Sequence, residues 1–272
     1  MKKIIKRILS AILCAAALTT AAAAYEPVNI RLNGADTAVD ALLIGSTTYV
    51  PFEAANELLS FGEAEVTGDG ASMRSVSGSV TVSARAGDCY VEASGRYLGG
   101  SDVVEISGML YVPVRSLAKA YDADVTWTDA TRTVELHASP GGAITPGSEF
   151  YREDEVWWLA RIIHAESQGE PLAGKILVGN VVMNRVASRE FPDTIYGVIF
   201  DRKWGVQFTP VANGTIYNTP GEESILAAKL VLDGYSLAPT ALYFLNPREA
   251  QNFWVPQNRP YLMSVGCHDF YA

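Results

Sequence analysis

The period of the hydrophobic positions changes near the middle of the chain. Up to about residue 138, apolar residues fall in short runs rich in Val, Tyr and Thr, broken by Gly, Asn, Asp and Ser, which predicts short strands joined by turns. Beyond residue 150 the apolar positions recur at helical spacing. They predict a helix over Asp154–Gln168, a second opened by Pro171 and running to about Arg189, and a third started by Thr219-Pro220-Gly221-Glu222 and ended by Gly234. Residues 139–150 carry neither period; Pro, Gly and Ser dominate, and they read as a linker. A loop-rich stretch covers Asp193 to Asn218, and Ala241 to Phe270, dense in aromatics and asparagines, reads as irregular.

The upstream half repeats itself. Tyr49-Val50-Pro51-Phe52-Glu53-Ala54-Ala55 recurs as Tyr111-Val112-Pro113-Val114-Arg115-Ser116-Leu117, and each copy leads from a strand into a short amphipathic helix. Val125–Thr128 and Thr131–His137 then form a hairpin around Asp129-Ala130. The fold class predicted is α+β with two domains, a small β-rich module followed by a mainly α domain.

The first 24 residues change the reading of compartment. Lys2, Lys3, Lys6 and Arg7 precede an apolar run from Ile8 to Leu18, and Ala22-Ala23-Ala24 gives a small-residue cleavage pattern, so this is a signal peptide and the mature chain starts near Tyr25. No later stretch is long and apolar enough to span a bilayer, so no membrane association is expected after cleavage. Removing residues 1–24 leaves 17 basic and 30 acidic residues, a net charge of −13. That argues against nucleic acid and against anionic lipid as partners, and leaves a glycan open. Cys89 and Cys267 fall in different predicted domains; one bridge between them and two unpaired thiols are both open readings.

Glu166 is the strongest chemical candidate. At roughly 100° per residue it shares a helix face with Leu159, Ile162 and Ile163. A carboxylate on a core-facing stripe is costly without a partner or a task. Gly169 stops the helix just beyond it, so burial and the negative end of the dipole both favour the protonated form, the setting of a general acid. Glu170 is four residues on, but Gly169 interrupts the helix between them, and an ion pair with Arg161 or Arg185 is an alternative role for it. His164-Ala165-Glu166 superficially matches a zinc-deaminase signature, but the two side chains lie about 160° apart on a helix and no Pro-Cys-x-x-Cys follows. Neither His-Glu-x-x-His nor Gly-x-Ser-x-Gly is present. No metal site and no cofactor are expected.

Two resemblances add to this reading. Asn29–Gly34, Tyr111–Leu117 and Val125–Val134 resemble the copper amine oxidase N-terminal-like domain, over about residues 25–138. The name implies no copper here, because His137 is the only histidine of that half. A wall-docking or substrate-presenting module on one side and a mere spacer on the other are equally weighted roles. Residues 151–272 form the second domain. Within it, Leu159–Glu166, Gly169-Glu170, Val181–Arg185, Phe191–Ile195, Gln207–Gly214, Ala241–Pro247 and Gly266–Phe270 resemble the SleB-like cell-wall hydrolase family, the spore cortex-lytic enzymes and their relatives. That resemblance implies a lysozyme-like fold and cleavage of the peptidoglycan glycan strand. The catalytic glutamate then corresponds to Glu166 and a glutamine-phenylalanine motif to Gln207-Phe208. A lytic transglycosylase fits a single sure carboxylate; a muramoyl-alanine amidase and a non-catalytic peptidoglycan-binding protein are the alternatives. Glu170, Asn184, Tyr243, Asn246 and Trp254 complete the expected substrate-binding set with Gln207 and Phe208. The expected location is outside the membrane, in the cell wall or spore envelope.

Overall fold

The computed structural model describes residues 25–272 except 204 and 251, so the expected signal segment lies outside the described residues. Strands β1 (Glu26–Leu32), β2 (Ala35–Asp36), β3 (Ala41–Ile44) and β4 (Thr47–Pro51) lead into helix α1 (Phe52–Leu59). A five-stranded meander follows: β5 (Glu65–Gly68), β6 (Ser72–Ser77), β7 (Val80–Arg85), β8 (Tyr90–Ala93) and β9 (Arg96–Gly99). Then come β10 (Val104–Ile106), β11 (Met109–Pro113), α2 (Val114–Ala120), β12 (Asp124–Thr128) and β13 (Thr133–His137). The larger sheet runs β10-β11-β4-β3-β1-β13-β12, and β1 pairs in parallel with β13, so the start of the module is sealed by its end.

The sequence repeat has a structural meaning. The two copies form β4–α1 and β11–α2, and their strands pair antiparallel with Val50 opposite Val112. Each proline is the last strand residue and the helix N-cap, where its missing N–H interrupts no helical bond. The helices bury Phe52, Leu59 and Leu117 into the core shared by both sheets. The β-rich α+β character and the Val125–His137 hairpin are as expected.

The second half is helical. After α3 (Gly147–Phe150) come α4 (Glu153–Ser167), α5 (Leu172–Ala187), α6 (Ile195–Ile199), α7 (Thr209–Asn213) and α8 (Glu222–Leu232). Three acidic residues in the first turn of α4 suit the positive end of its dipole. Every residue of α5 from Gly174 to Val182 is buried, so α5 is the central helix against which α4 and α8 pack. Two of its buried polar residues are satisfied: Lys175 Nζ reaches Glu223 at 2.5 Å, and Asn180 exchanges bonds with the backbone of Tyr235 and Leu237. No helix of the described residues is long and apolar enough to cross a membrane.

Two expectations are corrected. Ala241–Phe270 is not irregular: β14 (Tyr243–Leu245), α9 (Trp254–Asn258), β15 (Tyr261–Val265) and β16 (His268–Tyr271) build a three-stranded sheet in the order β14-β16-β15. Thr219 makes no capping box; α8 starts after Gly221 with no side-chain cap. Residues 139–150 run between the two halves, mostly exposed, but two of them are held. Ile144 joins the first core, and Gly147 donates its N–H to the Ser94 carbonyl at 2.9 Å, so close that a Cβ on Gly147 would strike the Gly95 backbone.

The two halves are joined by a buried charge. Asp233, after α8, is 1% exposed at its side chain, and its Oδ1 accepts from Arg96 Nε of β9 at 2.9 Å. Its Oδ2 accepts from the Tyr97 N–H at 3.3 Å and from the Tyr151 hydroxyl; burial, then the carboxylate itself, push that phenol far above its ordinary range. Lys119 of α2 donates to the Asp233 carbonyl at 3.2 Å. Removing the carboxylate leaves the buried Arg96 guanidinium unpaired, which costs on the order of 3–5 kcal/mol. Asp233→Ala is therefore expected to lose stability of that order in urea denaturation and to open residues 139–150 to limited proteolysis; a variant with wild-type stability and cleavage would show the halves to be independent.

Candidate active site

The end of α4 opens into a cavity of about 480 Å³. Ala165 and Glu166 line it from α4, Arg185 from the last turn of α5, and Gln207, Phe208, Asn213 and Thr215 from α7 and its flanks. Phe244, Asn246, Glu249 and His268 close it from the C-terminal sheet and its loop. A cavity of about 530 Å³ on the β-rich module, lined by Trp127, Arg115 and Asp129 among others, contains no comparable acid–base group held out of water.

Glu166 is partly covered, its face continuing the stripe of Leu159, Ile162 and Ile163, each with no exposed surface. Burial pushes its carboxyl up to about 7, and the Arg185 charge only partly opposes this. Arg185 is 5% exposed. Its Nε donates to the Leu242 carbonyl at 2.8 Å, and its guanidinium lies 4.9 Å from the Phe191 ring centre and 5.2 Å from that of Phe208. Nη1 is buried with no hydrogen-bond partner. Burial lowers the guanidinium to about 10, against the pull of Tyr243, Asp201 and Glu166, so it still carries its charge at neutral pH. A carboxyl that exchanges its proton near neutral pH thus shares the cavity with a cation that has a donor to spare. When the acid gives up its proton, the carboxylate formed gains a counter-charge in a low-dielectric wall, an arrangement that favours the proton-transferred state.

The structure brings together only part of the expected set. Glu166, Gln207, Phe208 and Asn246 share the cavity; Gln207 is anchored by its Nε2 to the Gly205 carbonyl at 3.1 Å, and Phe208 is both cavity wall and core. Glu170 does not line it. Its Oε2 accepts the Cys267 N–H at 2.9 Å, and Gly266, at φ +59°, presses so close that any Cβ would collide with that carboxylate. Glu170 holds the β15–β16 turn, and neither of its foreseen partners, Arg161 or Arg185, is involved. Asn184 is also structural, donating to the Ala238 and Ala241 carbonyls at 2.9 and 2.8 Å. Neither Tyr243 nor Trp254 lines the cavity: the Tyr243 ring lies 5.5 Å from the Arg185 guanidinium and 6.4 Å from Phe191, and Trp254 meets that ring edge-on at 6.5 Å.

Arg185, His268, Glu249, Asn213 and Thr215 were not foreseen in the cavity. For Arg185 the signal existed: it follows Val178, Val181 and Val182 at seven, four and three residues, a charge on a core-facing stripe like Glu166. His268 is 8% exposed, edge-on to Phe244 at 5.3 Å, and burial lowers its pKa against Glu170, Glu249 and Asp269. His164 points elsewhere, to Gly221 N–H and Ser224 Oγ of α8, each at 3.4 Å. Among the described residues no group of three or more His, Cys, Asp or Glu side chains is placed to hold a metal ion. Cys89 and Cys267 are both free thiols.

Comparison with known proteins follows this division. Residues 31–136 match the copper amine oxidase N-terminal domain and residues 169–271 match the cell wall hydrolase domain, a match that begins three residues after Glu166. A spore cortex-lytic enzyme of Bacillus cereus is 38% identical over 120 residues, 44% of this chain and 45% of that one, so the chain spans less than half the length of that relative. The catalytic domain of the germination-specific lytic transglycosylase SleB from Bacillus anthracis is 36% identical and fully covered by 47% of this chain, with a TM-score of 0.42. The cell wall hydrolase CwlJ of Oceanobacillus iheyensis is 31% identical over 132 residues and 89% of its length is covered. With that cover and identity, the chain belongs to the cell wall hydrolase family.

Proposed function

We propose that this protein is an exported enzyme that cleaves the glycan strand of peptidoglycan, with Glu166 as general acid and base. The observation that carries the reading is the pairing, in one cavity, of a carboxyl raised to about 7 with a buried guanidinium that has an unused donor. Glu166 gives its proton to the glycosidic oxygen between N-acetylmuramic acid and N-acetylglucosamine as the C1–O bond breaks. The resulting carboxylate, held by Arg185, then takes the proton of the muramic C6 hydroxyl, whose oxygen bonds to C1. The product is a 1,6-anhydro end, and the acid is regenerated. Gln207 and Asn246 supply amides for the acetamido and hydroxyl groups. The names of the SleB and spore cortex-lytic relatives support this reaction and a wall or spore-envelope location, as does the signal-like segment of residues 1–24.

One observation favours a second reading. Glu249 lines the same cavity and is exposed, so a hydrolytic muramidase with Glu249 activating water is the rival. The amidase alternative lacks a donor set for zinc among the described residues.

Purified peptidoglycan digested by the mature protein is expected to yield anhydro-muramic ends by mass spectrometry, with undiminished release in EDTA. Reducing ends that vanish in Glu249→Gln would establish the hydrolase instead, and released stem peptides the amidase.

Glu166→Gln is expected to lower cleavage at least about a hundredfold. It also tests the burial of the acid. Below the ordinary value of 4.5 both folded and unfolded chains hold the proton, whereas between 4.5 and about 7 the unfolded chain has released it and the folded one has not. Wild-type stability therefore falls as pH rises through that window, and above it the Glu166→Gln variant is expected to be more stable than wild type by up to about 3 kcal/mol. Urea denaturation at pH 5 and pH 8 measures this; equal differences at the two pH values would contradict it.

Arg185→Met is expected to shift the alkaline limb of activity to higher pH while lowering the maximum rate. Arg185→Lys, which keeps a charge beside Glu166, Asp201 and Tyr243, should move the limb less.

A further inference from the structure

The face of α4 that ends in the cavity does not end in solvent. Trp158, Arg161 and Ala165 stand at i, i+3 and i+7, so they share one face, and Ala165 is a cavity wall. Trp158 is thus about 10 Å along the helix from the acid's cavity. Around it lies a cluster of rings: Tyr196 at 5.3 Å, Phe200 at 5.3 Å and Tyr217 at 6.4 Å, all edge-on to the indole. Tyr217 follows Thr215, another cavity wall, by two residues, so the segment after α7 borders both places. The cluster is an exposed group of adjacent rings rather than a covered one. Here Tyr196 is 53% and Tyr217 60% exposed. Arg161 stands between Trp158 and Ala165 on this helix face, its guanidinium 5.2 Å from the Trp158 ring centre and 4.7 Å from that of Trp157, and its Nε has no hydrogen-bond partner.

We propose that Trp158, Tyr196, Tyr217 and Arg161 form a ledge that binds the glycan strand beyond the cleavage point, so that the enzyme prefers long strands to short fragments. The occupant follows from continuity with the cavity and from chemistry. A hexosamine ring presents C–H faces to aromatic surfaces and oxygens to a guanidinium, and the ledge offers both side by side. The mature chain's 17 basic and 30 acidic residues (net −13) make an anionic polymer a poor fit for the same surface. This inference rests on the glycan-cleaving reading above, and its test separates the two.

The probes are Tyr196→Ala/Tyr217→Ala, which alters two exposed rings and leaves Trp158 in place, and Arg161→Gln. In the first arm, kcat/KM is measured on long uncross-linked glycan strands and on a short soluble muropeptide fragment. The ratio of the two is expected to fall about tenfold in the double variant and less in Arg161→Gln. In the second arm, binding of long strands to Glu166→Gln protein, with and without the tyrosine changes, is followed by tryptophan fluorescence and calorimetry. Loss of affinity by a similar factor is expected. If no strand is cleaved but strands still bind through the tyrosines, the catalytic reading fails and the ledge stands. If cleavage proceeds with an unchanged ratio and unchanged binding, or if sedimentation shows that the tyrosine changes only dissociate a dimer of this chain, the ledge is overturned.

Discussion

A carboxyl pushed up to about 7 by burial is the constraint on which the helical half turns. Glu166 continues the core-facing stripe of α4, and the polar neighbour that relieves it, Arg185, comes from the last turn of α5. Two helices that pack through Ile162, Ile163, Val178 and Val182 therefore deliver an acid and a cation to one cavity as a consequence of how their apolar faces meet. Neither group is satisfied alone. The carboxylate form of Glu166 is disfavoured by lost hydration, and Arg185 spends one donor on the Leu242 carbonyl and keeps another idle. On the proposed reading, proton transfer to a substrate completes a charge pair with Arg185, an electrostatic preorganisation of the kind that accelerates reactions in which charge develops at a fixed place.

The C-terminal sheet matters to this site more than its small size suggests. Its strands bring Phe244 and His268 to the cavity, and its turn is held by Glu170, the residue that ends the loop after α4. The chain leaves the acid at Glu166 and, within four residues, uses a second carboxylate to fix the wall opposite it. Gly266 is required there because the turn backbone sits against the Glu170 oxygens with no room for a side chain. Two glutamates four residues apart thus serve different ends, separated by Gly169, which turns the second away from the helix axis of the first.

How much of this was readable beforehand divides along physical lines. Local signals with strong periodicity were legible: the strand–helix repeat, the two long helices to within one or two residues, and Glu166 as a charge out of place. What depended on distant partners was not. Asn184 looked like a sugar ligand because an exposed-looking amide says nothing about the Ala238 and Ala241 carbonyls that meet it. Residues 139–150 read as a linker, and their Pro and Gly mark irregular backbone without foretelling that Gly147 meets Gly95. The terminal sheet was missed because its strands are short and dense in aromatics and asparagines, so that strand alternation is weak, although Val265-Gly266-Cys267-His268 carries the glycine of a tight hairpin.

The buried Asp233 bears on the role of the β-rich module. A spacer needs no buried ionic contact with the domain it holds away from the wall. Here Arg96, Lys119, Tyr97 and Tyr151 all converge on one residue at the end of α8, and Cys89, Tyr90 and Tyr97 extend the helical core across the boundary. The same α8 packs on α4, the helix of the acid. The module's orientation relative to Glu166 is therefore set by folding, through the buried Asp233 and the helix that also packs against the acid's own.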